Sequence, residues 1–420
     1  MRLKPYSEYK NSSIEWLGAV PVDWDIVSIK WMSPVQRGAS PRPIDDQKYF
    51  DEDGEYAWVR IADVSSSDGV LRGTTQRLSE LGSSLSVKIY PNELFVSIAG
   101  TVGKPCISAI KACIHDGFVY FPKLKIPAIF LYRIFEAGTC YGGLGKFGTQ
   151  LNLNTDTIGS IRIALPLKNE IDSIVKFLDR ETGKLDTLIS KQEHLIELLQ
   201  EKRQAIISHA VTKGLNPDAK MKDSGVEWLG MVPEHWTLIK ISRVFHIAAG
   251  GDLKTEFFSE ECNDLHSYPI YTNSTKQGAV YGFTSKPYFP ANSITVTGRG
   301  DIGFAVYREN EYDAIIRLLV LTPKKNHSCK YSAYFINSML RFSEGSTAVN
   351  QLSTQQISPH LILCPPDDER ISISYYLDQE NSRIDTLIDK AKRSIELAKE
   401  HRTALISAAV TGKIDVRESA

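Results

Sequence analysis

Apolar residues in this chain follow two rhythms. One stripe runs through Leu185, Leu188, Gln192, Leu195, Leu199, Lys202 and Ile206, at alternating steps of three and four, widened by Ile189 and Ile196. Nearly the same stripe returns as Ile384, Leu387, Ala391, Ile395, Ala398, Leu405 and Ile406. That period places side chains along one face of a helix, and the three–four alternation is that of a coiled-coil seam. Each pattern continues for about 40 residues without an internal proline, well beyond an ordinary helix. The spacing predicts two long amphipathic helices whose stripes bury each other.

The second rhythm is short. Runs of β-branched and aromatic residues between turn signals predict strands over 56–61, 93–98, 117–121 and 160–164, then over 268–271, 293–297, 314–321 and 360–363. Helical stretches over 128–136 and 331–342 interrupt them. The expected fold class is α+β: two mixed modules separated by two long antiparallel helices.

The chain also repeats itself. SSIEWLGAVPVDW (12–24) returns as SGVEWLGMVPEHW (224–236), with eight of 13 positions identical at an offset of 212. The helical segments 177–212 and 376–411 share 19 of 36 positions at an offset of 199. The order is module, helix, module, helix, an internal pseudo-two-fold repeat. Gly214 and Pro217 stop the first helix, so the linker to the second module is short. The second helix must then run back for the stripes to meet, giving an antiparallel pair about 60 Å long. The opening segment LKPYSEYKNSSIEW resembles the linker LNPDAKMKDSGVEW, as though the first module were built to sit beside the end of the second helix. The expected boundaries are 1–165 for the first module and 166–213 for the first helix. Linker and second module occupy 214–363, the second helix 364–413, and a tail 414–420.

At 420 residues, 42% hydrophobic and 24% charged, the chain suits two or more soluble domains. No apolar run approaches the roughly 20 residues of a bilayer span, and 1–13 lack the apolar core of a secretion signal. Six scattered cysteines without a C-x-x-C pair fit free thiols in a reducing cytoplasm. Net charge is −1 and neither module is basic, so any nucleic-acid site is a local patch or is shared with a partner. Catalytic signatures are missing. The stretch Gly100-Thr-Val-Gly-Lys104 has neither the spacing nor the hydroxyl of a phosphate-binding loop. Pro365-Pro366-Asp367-Asp368 only superficially resembles the adenine methyltransferase tetrapeptide. No histidine pair has the spacing of a zinc site.

The twin motif Glu15-Trp16-Leu17-Gly18…Pro21…Trp24 and Glu227 to Trp236, the twin helices carrying Leu-Asp…Asp-Thr-Leu-Ile, and the paired Val102-Gly103 and Ile302-Gly303 turns cover almost the whole chain. In these features it resembles the specificity subunits of type I restriction–modification systems. The resemblance implies that each module is a target recognition domain reading one half of a bipartite, asymmetric sequence in double-stranded DNA. It implies helices that act as a ruler and dock two methyltransferase subunits, with two motor-nuclease restriction subunits added for cleavage. S-adenosylmethionine, ATP and magnesium would belong to those partners, leaving this chain non-catalytic.

Three groups of residues are suited to DNA. Arg37, Ser40 and Arg42 sit in a loop punctuated by Gly, Ser and Pro, with Lys254 and Thr255 in the corresponding loop of the second module. Tyr141, Lys146, Gln150 and Asn152 lie in or beside a glycine-rich segment whose amides suit adenine. Arg60, Asn273, Ser274, Lys276 and Arg299 form a third set. At the helix seam the expected contacts are Leu185, Leu188, Leu195, Leu199 and Ile206 against Ile384, Leu387, Ile395 and Leu405. Two alternatives stay open: a non-catalytic coiled-coil scaffold, and the recognition part of a standalone DNA-modifying enzyme.

Overall fold

The structure is a computed structural model that describes residues 4–142, 144, 153–274, 279–325, 327–342 and 351–417. Two long helices, Lys168–Lys213 and Asp367–Val410, account for the three–four stripes. The chain forms two compact units, Met1–Gln192 with Arg393–Ala420, and Glu193–Lys392, so each unit holds part of both helices.

In the first unit, strand Asp25–Ser28 pairs antiparallel with Arg162–Leu165, which leads directly into the first long helix. A five-stranded sheet has the order Gln36–Arg37, Phe118–Tyr120, Leu94–Ser97, Pro105–Ser108, Val70–Leu71. A four-stranded sheet has the order Arg77–Leu78, Tyr56–Val59, Ala112–Ile114, Val87–Ile89. Trp24, Phe130, Phe135, Ile163, Ile174 and Leu178 form the core, joined by Ile406, Ala409 and Val410 from the end of the second long helix. The first module does therefore sit beside that helix end. The Lys413 ammonium donates to the Leu17 carbonyl at 2.8 Å, and the Asp415 amide donates to the Lys4 carbonyl at 2.8 Å.

The second unit repeats this plan. Thr237–Lys240 pairs with Leu361–Cys364 ahead of the second long helix. One four-stranded sheet runs Phe245–Ala249, Leu318–Pro323, Ser293–Thr297, Ala305–Arg308; another runs Phe258–Ser259, Val280–Thr284, Tyr268–Tyr271, Asp313–Ala314. Trp236, Tyr331, Phe335, Ile362 and Leu377 form its core, with Ala210 and Val211 from the first long helix.

Two expectations need correction. The apolar run 314–321 is not one strand. It breaks at 315–317 and its two halves join different sheets. The seam also differs. Leu188, Leu195 and Leu387 are 40, 41 and 42% exposed, whereas Leu199, Ile384 and Ile388 are buried and cluster with Ile196 and Ile206. The stripe facing inward is Thr182, Leu185, Ile189, Gln192, Ile196, Leu199, Arg203, Ile206, and at an offset of 199 Asn381, Ile384, Ile388, Ala391, Ile395, Ala398, Arg402, Leu405. Both rows keep the three–four alternation, but Ile189, Ile196 and Arg203 take the inward places expected for Leu188, Leu195 and Lys202, and Ile388 that of Leu387. In both rows an arginine takes one inward position and reaches a carboxylate. In the first unit Arg402 Nε donates to Asp186 Oδ1 at 2.9 Å and Arg402 Nη2 to Glu136 Oε1 at 2.9 Å. In the second unit Arg203 pairs with Asp385, the counterparts of Arg402 and Asp186 at the same offset. Both pairs run antiparallel with one register.

Candidate functional site

In each unit the chain turns a corner from one sheet to the other, and three loops gather there. The first unit's corner is His115-Asp116-Gly117, between strands Ala112–Ile114 and Phe118–Tyr120. The Gly38 amide donates to the Phe118 carbonyl at 2.9 Å, Ala39 to Ile114 at 3.1 Å, and Ile98 to Gly117 at 2.8 Å. In the second unit Gly250 donates to Leu318 at 2.8 Å, Gly251 to Ala314 at 3.0 Å, and Gly298 to Arg317 at 2.8 Å. The same three bonds recur with different side chains around them. A Cβ on Gly38 would lie 2.2 Å from the His115 carbonyl and one on Gly250 2.6 Å from that of Ile315, so the approach of this loop needs glycine.

Each corner is flanked by a turn that follows a strand. The Gly103 amide closes it on the Ser97 carbonyl at 2.8 Å, as Gly303 does on Thr297 at 2.8 Å. Gly103 and Gly303 have φ of +86 and +88°, and a Cβ on either would enter the ring of Tyr141 or Phe342. The Ser97 and Thr297 hydroxyls receive the Lys104 amide at 3.2 Å and the Phe304 amide at 2.9 Å, which stiffens the tip.

The first corner is electrostatically closed. Arg37 Nε donates to the Asp116 carbonyl at 2.5 Å, Ser40 Oγ to Asp116 Oδ1 at 3.2 Å and Arg42 Nη2 to Asp116 Oδ2 at 3.1 Å. Partial burial raises the Asp116 pKa, but the Ser40 hydrogen bond and the charges of Arg37 and Arg42 outweigh it and hold the carboxyl below its ordinary range. Burial pushes the neighbouring His115 down, against the pull of Asp116 3.7 Å away. Arg60 caps helix Ile61–Ser66, its amide donating to Asp63 at 2.8 Å and its guanidinium to Gln76. That helix meets the glycine turn, where Ser65 Oγ and Thr101 Oγ1 are 2.6 Å apart. Arg37, Ser40 and Arg42 are thus brought together on Asp116, and Arg60 stands on the helix beside the turn.

Tyr141 is placed otherwise than an exposed base contact. Its ring stacks on Phe135 at 5.9 Å and 9°, and its hydroxyl donates to the Gly103 carbonyl at 2.9 Å. Lys146, Gln150, Asn152 and Lys276 lie outside the described residues.

In the second unit Asn273 and Arg299 come together through the backbone. Asn273 Oδ1 accepts from the Gly298 and Arg299 amides at 2.9 and 3.2 Å, and its Nδ2 donates to the Arg299 carbonyl at 2.5 Å. The amide of Asn273 therefore positions the turn rather than pointing outward, and Ser274 follows it, half-buried. Lys254 and Thr255 stand further along the Gly250 loop, with the Lys254 ammonium 3.9 Å from the ring centre of Tyr288.

The two corners are unequally marked in the sequence. His115-Asp116-Gly117 carries a turn signal, but Ile315-Ile316-Arg317 carries none, and the apolar run conceals it. Among the described residues no group of three or more His, Cys, Asp or Glu side chains is placed to hold a metal ion. What these corners offer is hydrogen-bond donors and guanidinium groups on rigid turns, the chemistry of recognition.

A family model described as the type I restriction modification DNA specificity domain matches twice, at residues 21–198 and 233–398. A Mycoplasma pneumoniae protein named as a type I specificity subunit is 27% identical over 154 residues, covering 37% of this chain and 45% of the relative. The MjaVIII type I restriction enzyme specificity subunit of Methanocaldococcus jannaschii is 23% identical over 253 residues, covering 57% and 53%. The chain thus spans about half the length of these relatives. Among solved structures, a chain from a study of complex assembly and conformational transition of the type I R-M system superposes with a TM-score of 0.69 at 15% identity, covering 93% of this chain and 98% of that one. The HsdS subunit from Thermoanaerobacter tengcongensis gives a TM-score of 0.54 at 14% identity, covering 94% and 98%. These two likenesses establish the fold.

Proposed function

The chain belongs to the family of type I restriction modification DNA specificity domains, carrying two of them, and from that premise we propose that each unit reads one half of a bipartite, asymmetric target in double-stranded DNA. One observation carries the reading. The same three backbone bonds build a corner in both units, while the side chains on it differ: Arg37, Ser40, Arg42 and Asp116 in one, Arg299, Ile316 and Arg317 in the other. Equal scaffolds with unequal donors suit two like modules reading two unlike sequences. Arg37, Ser40, Arg42, Arg60, Lys254, Thr255, Ser274 and Arg299 are the described candidates for contact with DNA, and Lys146, Gln150, Asn152 and Lys276 belong with them.

The long helices set the distance between half-sites and dock two methyltransferase subunits. Leu188, Leu195, Leu198, Leu387 and Leu397 remain exposed on them, apolar groups that a docked subunit would cover. Two restriction subunits complete the assembly, and S-adenosylmethionine, ATP and magnesium are bound by the partners. This chain catalyses neither methylation nor cleavage. A net charge of −1 fits a division of labour in which partner subunits hold most of the phosphates. Among the described residues no helix is long and apolar enough to cross a membrane, and the reading places the complex in the cytoplasm with the DNA.

The test is a module exchange. Residues 25–160 are replaced by those of a relative, the chain is expressed with its methyltransferase subunit, and methylated sites are sequenced. One half of the motif changes and the other stays. A change in both halves, or in neither, refutes the assignment.

A further inference from the structure

Position 317 is where the two corners differ most. Its counterpart in the first unit is Gly117, since the carbonyls of Gly117 and Arg317 accept equivalent bonds from Ile98 and Gly298. Arg317 has φ of +83°, a left-handed conformation that a long side chain rarely adopts. Glycine would take it without strain. An arginine kept in such a conformation is over-determined by its surroundings, and strain of this kind gathers at binding sites.

The surroundings do fix it. The Ile315 amide donates to Tyr271 at 3.0 Å in one sheet, the Gly250 amide donates to Leu318 at 2.8 Å in the other, and the Arg317 carbonyl holds the glycine turn. Asn273 clamps the far side of that turn through Gly298 and Arg299. The backbone from which the side chain leaves is thus tied to both sheets. The side chain itself is exposed, and among the described residues it makes no hydrogen bond or ion pair. In the first unit Asp116 engages Arg42 and Ser40; the second unit has Ile316 there, half exposed, and so lacks that carboxylate. The nearest acids along the three loops, Asp252 and Asp301, form no ion pair with Arg317 or Arg299 among the described residues. The corner presents an unneutralised guanidinium on a rigid mount, beside a second one on the turn.

Resting on the DNA-recognition reading above, we infer that Arg317 is a specificity-determining residue of the second unit, whose guanidinium makes the forked contact to the N7 and O6 edge of one guanine in that unit's half-site. A planar fork needs a fixed origin to choose one base edge, and a residue locked at the junction of two sheets supplies it. Arg299, exposed on the adjoining turn, would hold the neighbouring phosphate.

The experiment compares wild type, Arg317→Gly and Arg317→Lys, each expressed with the partner methyltransferase subunit, with methylated sites sequenced and thermal unfolding measured. The glycine variant is expected to unfold at the wild-type temperature or above, because it relieves the strained φ. Its motif should lose preference for guanine at one position of one half-site by at least about tenfold, with the other half-site unchanged. The lysine variant should lose the same preference while retaining more affinity, since it keeps the charge but not the fork. A glycine variant that methylates the wild-type motif at every position overturns the inference and leaves the bipartite reading standing. Uniformly weaker methylation with no positional change also overturns it, making Arg317 a phosphate contact. A wild-type complex that yields no bipartite motif overturns both.

Discussion

At the scale of the residue, repetition lies in polar contacts as much as in the core. Trp24 Nε1 donates to Glu170 Oε2 at 3.0 Å, and Trp236 Nε1 to Glu369 Oε2 at 2.9 Å, both acceptors in the first turn of a long helix. Each tryptophan fills a core while its N–H meets a carboxylate at the positive end of the helix dipole. The repeated tryptophan motif is therefore a lock between module and helix. His327 shows the opposite balance. Burial, reinforced by the charge of Arg370, pushes its pKa down to about 4, and its Nε2 lies 3.0 Å from Ser332 Oγ. The folded state holds it neutral while the unfolded chain accepts a proton below about pH 6.5, so its contribution to stability is intact above that pH and is lost as pH falls toward 4. Between pH 7 and 4.5 this amounts to about 2 kcal/mol. Urea unfolding monitored at both values should show that loss in wild type, and His327→Gln should flatten it. Equal slopes in the two proteins would remove His327 from the account.

Among elements, the helix seam teaches most. Its period was legible because 3.6 residues per turn force buried positions three and four apart. Its register was not, because hydrophobicity cannot rank two adjacent apolar rows. Arg203 and Arg402 take positions between the buried groups, and their guanidinium groups reach Asp385 and Asp186. The rows are distinguishable within one unit. Leu199→Ala, which empties space against Ile384 and Ile388, should cost about 2 kcal/mol in urea unfolding. Leu195→Ala, on the exposed row, should stay within about 0.5 kcal/mol. The reverse order would return the seam to the row through Leu188 and Leu195.

For the whole molecule, the ruler is the consequence to test. In the antiparallel register Arg203 meets Asp385, so the residue opposite Glu201 is Leu387. One heptad inserted after Glu201 and another after Leu387 keeps the three–four pattern on both sides. It lengthens the pair by about 10 Å, or about three base pairs if axial rise alone sets the gap. In cells that also carry the methyltransferase subunit, the sequenced motif should keep both half-sites and gain a longer spacer. Full activity with an unchanged spacer would make the helices a docking surface only.

The chain read alone yields the repeat, the two long helices and seven of the eight expected strands. These features depend on local period and on identity between copies, which a linear reading registers directly. It also brought Arg37, Ser40 and Arg42 forward as one loop, and these do converge on Asp116. Three-dimensional contacts fix which helical row faces inward, split 314–321 between two sheets and set Arg317 in a left-handed conformation at the split. The reason is common to all three. A buried run reads alike whether it continues or turns, and what stops it is the hydrogen bonding of two sheets and a glycine loop distant in sequence, whose joint demands no local pattern records.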